Sequence, residues 1–231
     1  MRFENLDIDG LEVEAADSET SSELTLLIVP GIEGARTWKH QYNYFKSDFR
    51  TIVIDPESRN HESYVKALKK TLETKNLSRC ILIGSNLGVF VIDRFKDSER
   101  VMSTIYTDAR EITPKISREL FKTGSHLLSH PKILGKFLFN DKTDYRTLKD
   151  FILDADMMNW EEVKSYVGLN LQGGAANALL IHPEKSSFAS ENVRNILEPD
   201  LSVSKISSGS FCFYEKPEEF NKALYDFLNK L

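Results

Sequence analysis

The sequence predicts an α/β protein with a mostly parallel, doubly wound sheet, and three observations carry that expectation. Short apolar runs recur, among them Leu24–Val29, Ile52–Ile54, Cys80–Ile83 and Ala178–Ile181. A strand with no polar face is one covered on both sides, as in a parallel sheet. Stretches of helical period lie between the early runs, so strand and helix alternate from Leu24 to Thr107. The run at Cys80 then passes directly into Gly84-Ser85-Asn86-Leu87-Gly88, and Val89 and Phe90 open a second apolar stretch with helical spacing.

That turn organises the chain. Joining strand to helix so abruptly needs small residues two before and two after the apex, and it strains the apex toward positive φ. Gly84 and Gly88 flank the turn and Asn86 stands at its apex. Asn is, after Gly, the residue that best tolerates positive φ. Its carboxamide has no ionisable nucleophilic group to activate.

A chain of 231 residues, 41% of them hydrophobic, is enough for one large domain with a substantial core. Acidic residues outnumber basic ones by 35 to 30 and no Lys/Arg block occurs, which argues against nucleic acid as a partner. Cys80 falls in a core strand and Cys212 in a late loop, and both are expected as free thiols in a reducing compartment. Met1–Asp7 lacks the apolar core of a signal segment. No run approaches the ~18 apolar residues of a spanning helix. A soluble cytoplasmic protein without membrane contact is the expectation.

In chain order, Arg2–Ile8 and Leu11–Ala15 read as an antiparallel hairpin around Asp9-Gly10. Leu24–Val29 ends at Pro30-Gly31-Ile32-Glu33-Gly34, and a helix follows with Trp38, Tyr42 and Phe45 on one face. The strand Phe49–Pro56 precedes a helix from His61 to Lys75 that aligns Tyr64, Leu68 and Leu72. After the Cys80 strand, the helix beyond the turn is expected to bury Val89, Phe90 and Ile92 and to end near Asp97. Val101–Thr107 is the next strand and delivers Asp108 to its carboxyl end. Helical segments are then expected at Lys115–Lys122, Leu127–Phe139, Tyr145–Leu153 and Trp160–Leu171. The sheet resumes at Ala178–Pro183 and Leu201–Ile206, with a short helix at Asn192–Leu197 between them. A terminal helix repeats Phe220, Leu224, Phe227, Leu228 and Leu231 on one face.

From Leu24 to Leu231 this order resembles the α/β-hydrolase superfamily, whose nucleophile elbow reads Gly-x-Ser-x-Gly. The resemblance implies a core from residues 1–109 and 175–231, with residues 110–174 forming a helical cap inserted after the sixth core strand. It sets Asn86 where the family has its serine, Ser186 where it has its acid, and Ser210 where Gly-His-Phe carries its base. The spacing from Gly209 to Pro217 and the Pro-Glu-x-Phe of Pro217–Phe220 match the family's end. Gly31 and Ile32 match its oxyanion-hole turn, with Pro30 in place of the usual histidine.

On this alignment the backbone N–H groups of Ile32 and Leu87 converge at the start of the elbow helix, where they favour a carbonyl or an anion. Asn86 adds a neutral amide, and Ser186 and Ser210 complete a polar, uncharged floor beneath an apolar cap. Ser85 is expected to pack under the turn. Asp108 reads either as a relocated acid or as a cap or ion-pair partner of the next helix. His182 belongs, by the resemblance, to a structural hydrogen bond. His126 and His130 have the i, i+4 spacing of a helical metal pair, but Pro131 and the lack of a nearby carboxylate argue against a metal. No cofactor is expected.

Two functions follow. The first is a catalytically inactive member of the superfamily that binds a small, partly apolar molecule or a protein partner. The alternative is an esterase-like hydrolase, lyase or isomerase using displaced or non-covalent chemistry at the same pocket. A purely structural subunit with a closed pocket is the third possibility.

Overall fold

The computed structural model describes residues 1–7, 10–109, 138–140, 142–172, 177–185 and 201–231. Eight strands form one sheet: β1 (Glu4–Asp7), β2 (Glu12–Asp17), β3 (Thr25–Val29), β4 (Arg50–Pro56), β5 (Cys80–Ser85), β6 (Val101–Thr107), β7 (Ala178–Pro183) and β8 (Leu201–Ile206). Their order is β1-β2-β4-β3-β5-β6-β7-β8. The hairpin β1–β2 adds antiparallel to β4, and every pairing from β4 to β8 is parallel. The reversal of strand order around β3 is the switch point expected of a doubly wound sheet.

The continuous apolar runs are explained by two cores, one on each face. Leu27 and Val29 of β3, with Leu82 of β5, join Tyr64, Leu68 and Phe90 on one side. Leu26, Ile28, Ile81 and Ile83 join Trp38, Phe45, Phe213 and Phe220 on the other. Successive strand side chains point to opposite faces, so both must be apolar. Each buried Leu, Ile or Phe contributes about 1.5–3 kcal/mol.

Three helices follow the early strands: α1 (Lys39–Phe45), α2 (His61–Thr74) and α3 (Gly88–Asp93). Asn60 caps α2, accepting a hydrogen bond from the Ser63 N–H at 3.0 Å. The elbow helix α3 is six residues long rather than reaching Asp97. Beyond Asp93 the chain tightens into three-residue turns, Arg94 N–H to Val91 and Phe95 N–H to Ile92. So short a helix carries little of the dipole that the sequence reading invoked.

Later come α4 (Tyr145–Asp154), α5 (Trp160–Lys164), α6 (Cys212–Glu215) and α7 (Pro217–Leu228). The segment read as one helix from Trp160 to Leu171 is helical only to Lys164. Val163 is buried from that helix; beyond it Tyr166 and Leu171 are buried as a continuing helical face would require, but successive turns and Gly168 at φ 82 deliver them instead. Cys212 opens the short helix α6, where the sequence reading placed a loop. The helices expected at Lys115–Lys122 and Asn192–Leu197, most of Leu127–Phe139, and His126 and His130 lie outside the described residues.

Asp17 fastens the hairpin to the rest. Its carboxylate takes Arg50 at 2.7 Å and Lys75 at 3.0 Å. Burial pushes the acid up, but those two side chains and the Glu19 N–H outweigh it and hold it down at about 2. Among the described residues, no helix is long and apolar enough to cross a membrane, and no acidic, Cys or His cluster has the form of a metal site.

Candidate functional site: the strand ends around Asn86

The carboxyl ends of β3, β5 and β6 meet at the turn that follows β5. Asn86 takes φ 47, and its N–H donates to the Thr107 carbonyl at 3.1 Å. This turn needs bare glycines because backbones touch. A Cβ on Gly88 would run into the Val29 carbonyl oxygen, and one on Gly84 would lie 2.9 Å from the Gly88 backbone. A Cβ on Gly31 would strike the Ser85 carbonyl oxygen and lie 2.7 Å from the Asn86 Cβ. The Gly31-Ile32 turn is thereby pressed against the elbow. Asn86 is 1% exposed, and its Nδ2 has no hydrogen-bond partner among the described residues.

Asn86 therefore serves the backbone whatever else it does. Asn86→Gly is expected to be tolerated, whereas β-branched Asn86→Val loses about 1–3 kcal/mol to strain at positive φ. Equal urea midpoints for the two variants would contradict this.

The sequence reading missed Glu33. It is fully buried, and its Oε1 accepts hydrogen bonds from the Ser85 hydroxyl, from Gly31 N–H at 3.1 Å and from Trp38 Nε1–H at 3.2 Å. Gly31 N–H also reaches the Ser85 oxygen at 3.0 Å. Burial pushes the Glu33 carboxyl up, against those hydrogen bonds. An ionisable side chain that the sequence reading did not include is thus packed beneath the elbow. Ser85 does lie under the turn as expected, with its hydroxyl engaged rather than merely packed.

Asp108 follows β6 at φ 49 and is 1% exposed. Beside it, Thr107 Oγ1 lies 3.3 Å from Cys212 Sγ. Burial pushes that thiol up to about 12, so it is not a thiolate nucleophile at neutral pH. Ser210 is buried nearby in sequence, its N–H donating to the Leu138 carbonyl at 2.7 Å. Its loop is set by Glu215, which accepts from Gly209 N–H at 2.8 Å and from Thr143 Oγ1–H at 2.5 Å. His182 is the penultimate residue of β7, one after Ile181, the register partner of Thr107. Ile32 is half-buried and its carbonyl accepts from Met158 N–H at 3.0 Å, while Leu87 is fully buried. Gly31, Asn86, Leu87 and Asp108 are brought to one end of the sheet; Ser186 lies outside the described residues.

A second feature lies on the hairpin side of β4. A cleft of about 320 Å³ is lined by Glu12, Glu14, Arg36, Asp55, Glu57 and Arg59, among others. Burial there pushes Asp55 up to about 6, although the Arg59 charge pulls it down.

No family profile and no curated protein matches the chain by sequence. Solved structures match it along nearly its whole length. An enol-lactonase from Burkholderia xenovorans superposes with a TM-score of 0.82 at 13% identity, covering 98% of this chain and all of its own. A thermophilic esterase from Thermogutta terrifontis gives 0.78 at 16% identity, covering 100% of this chain and 99% of its own. A bromoperoxidase from Bacillus anthracis gives 0.78 at 18%, covering 99% and 100%. The fold is the α/β-hydrolase fold.

Proposed function

We propose that the elbow end of the sheet engages a small, partly apolar, carbonyl-bearing molecule, and does so without the acyl-enzyme step of a serine hydrolase. The observation that carries this is the apex itself. Asn86 holds the strained position that would present a nucleophile, and a carboxamide cannot attack a carbonyl. Its Nδ2, lacking a partner among the described residues, is a donor available to a ligand oxygen. The N–H groups of Ile32 and Leu87 would add backbone donors, and Ser186 and Ser210 hold the positions of the family's acid and base. Residues 110–174 would cover the site as a cap.

Turnover rather than mere binding is favoured by the neighbours, which are an esterase, an enol-lactonase and a bromoperoxidase. In this reading the chain is a non-covalent α/β-hydrolase-fold enzyme of the lyase, isomerase or hydrolytic kind. The inert-binder reading keeps one observation of its own, the serine at position 210 where the family's base would stand. Progress curves on p-nitrophenyl acetate, p-nitrophenyl butyrate and a small lactone decide between them. Saturable turnover without an initial burst supports the non-covalent enzyme, and rates no higher than denatured protein support the binder. A stoichiometric burst would refute both, since it reports an acyl-enzyme.

A further inference from the structure

We infer that Glu33 stands in the folded protein as a neutral carboxylic acid, its proton on Oε2, and that in this form it positions the Gly31-Ile32 turn against the Asn86 apex. The hydrogen bonds of this carboxyl are asymmetric. Three donors, Ser85 Oγ–H, Gly31 N–H and Trp38 Nε1–H, converge on Oε1. Oε2 is buried and has no hydrogen-bond partner among the described residues.

An ionised carboxylate spreads its charge over both oxygens, and burying one of them without a donor is severely unfavourable. A neutral acid has one carbonyl oxygen and one hydroxyl. The neutral acid is the less costly state here, with Oε1 as the carbonyl that collects the donors and Oε2 as a hydroxyl whose unmet hydrogen bond costs far less than a buried, unmet charge. None of the three donors carries a charge. From α2, Tyr64 is close enough to interact with Glu33 and is itself buried. Asp55 of β4 takes the Ala35 N–H at 3.0 Å, and the Arg59 guanidinium beside Gly34 is engaged by Asp55 and Asp156. Burial acts on the Glu33 carboxyl in the same sense.

The positioning role follows from what the turn is tied to. Met158 and Asp156 N–H groups bind the Ile32 and Glu33 carbonyls from outside, at 3.0 Å each. From inside, Glu33 fixes Gly31 both directly and through Ser85. Glu33 is thus a positioning residue for the elbow rather than a group shown touching a ligand. Only this role rests on the elbow being the functional site, and the test reads the proton and the turn without any ligand.

Infrared difference spectra of wild type against Glu33→Gln at neutral pH are expected to show a protonated-carboxyl carbonyl band present only in wild type. Its absence would overturn the inference. Urea midpoints give a second measurement. An acid held protonated by folding keeps more protons than the unfolded chain, so wild-type stability falls as pH rises above the ordinary glutamate value. The midpoint of Glu33→Gln, which mimics the neutral acid, should therefore rise relative to wild type from about pH 5 to about pH 8. Parallel curves would refute a proton held at neutral pH. For the positioning role, amide exchange at Gly31 should quicken in Glu33→Leu, which removes the Oε1 acceptor, and stay as in wild type in Glu33→Gln, which keeps it. Unchanged exchange in Glu33→Leu would overturn that part alone.

Discussion

Gly88→Ala is expected to cost about 3 kcal/mol or more of unfolding free energy, the largest loss from an added methyl group among the described glycines. The added Cβ would run into the backbone carbonyl oxygen of Val29 and lie 2.9 Å from that of Pro30. Neither atom is the end of a flexible side chain, and both lie where β3 passes into the Gly31 turn. Relief therefore requires α3 to move off the sheet, breaking contacts of Leu87, Val89 and Phe90 in the core. Gly168→Ala provides the control. Its φ of 82 is strained for alanine, but nothing lies within 4 Å of the new Cβ, so the loss should be about 1 kcal/mol. Chemical denaturation of the two variants checks this, and equal losses would mean that the elbow backbone has room to relax.

Arg59→Ala is the second large effect, at about 3–5 kcal/mol. The guanidinium is 6% exposed and ties three points together. It donates to the Asp156 carbonyl at 2.6 Å, pairs with the Asp156 carboxylate at 3.1 Å and lies 3.5 Å from the Asp55 carboxylate. Removing it leaves Asp55 buried without its cation. Asp55 already sits at about 6 because of burial, and losing the Arg59 charge moves it higher still. Protonating it removes the uncompensated charge, so the Arg59→Ala penalty should shrink as pH falls from about 8 to about 5. Arg59→Lys should not restore stability, because an ammonium lacks the planar fork that serves both partners. A penalty that does not change with pH would place the loss in packing rather than in the Asp55 charge.

The residues that sequence reasoning found and those it missed differ in a physical way. Strands β3 and β5 were legible because burial on both faces leaves a local signature, an unbroken apolar run. The elbow was legible because backbone contact demands glycine at fixed spacing, and positive φ admits Asn86. Glu33 left no such mark. A glutamate between Ile32 and Gly34 in a turn reads as solvated, and the partners that bury it, Ser85 and Trp38, are recognisable only once β3 and β5 lie side by side. Arg59 was hidden similarly, since Glu57-Ser58-Arg59-Asn60 reads as a loop. Yet its backbone N–H finds Glu162 at 2.8 Å and its carbonyl accepts from Tyr166 Oη–H at 2.8 Å. The helix expected from Trp160 to Leu171 failed because three-residue turns bury the same apolar positions as a helix does. Cooperation between distant segments is what a single sequence does not display.

The most direct test of the account is covalent. Wild-type protein is incubated with a p-nitrophenyl alkylphosphonate, which phosphonylates an activated serine and releases nitrophenolate, and is then analysed by intact mass and peptide mapping. With Asn86 at the apex and Ser85 buried under it, no adduct is expected on the folded protein. Asn86→Ser combined with Ser210→His, shown by circular dichroism to be folded, is predicted to acquire one at position 86. An adduct on wild type at Ser85, Ser210 or another serine would contradict the claim that this elbow works without a covalent nucleophile.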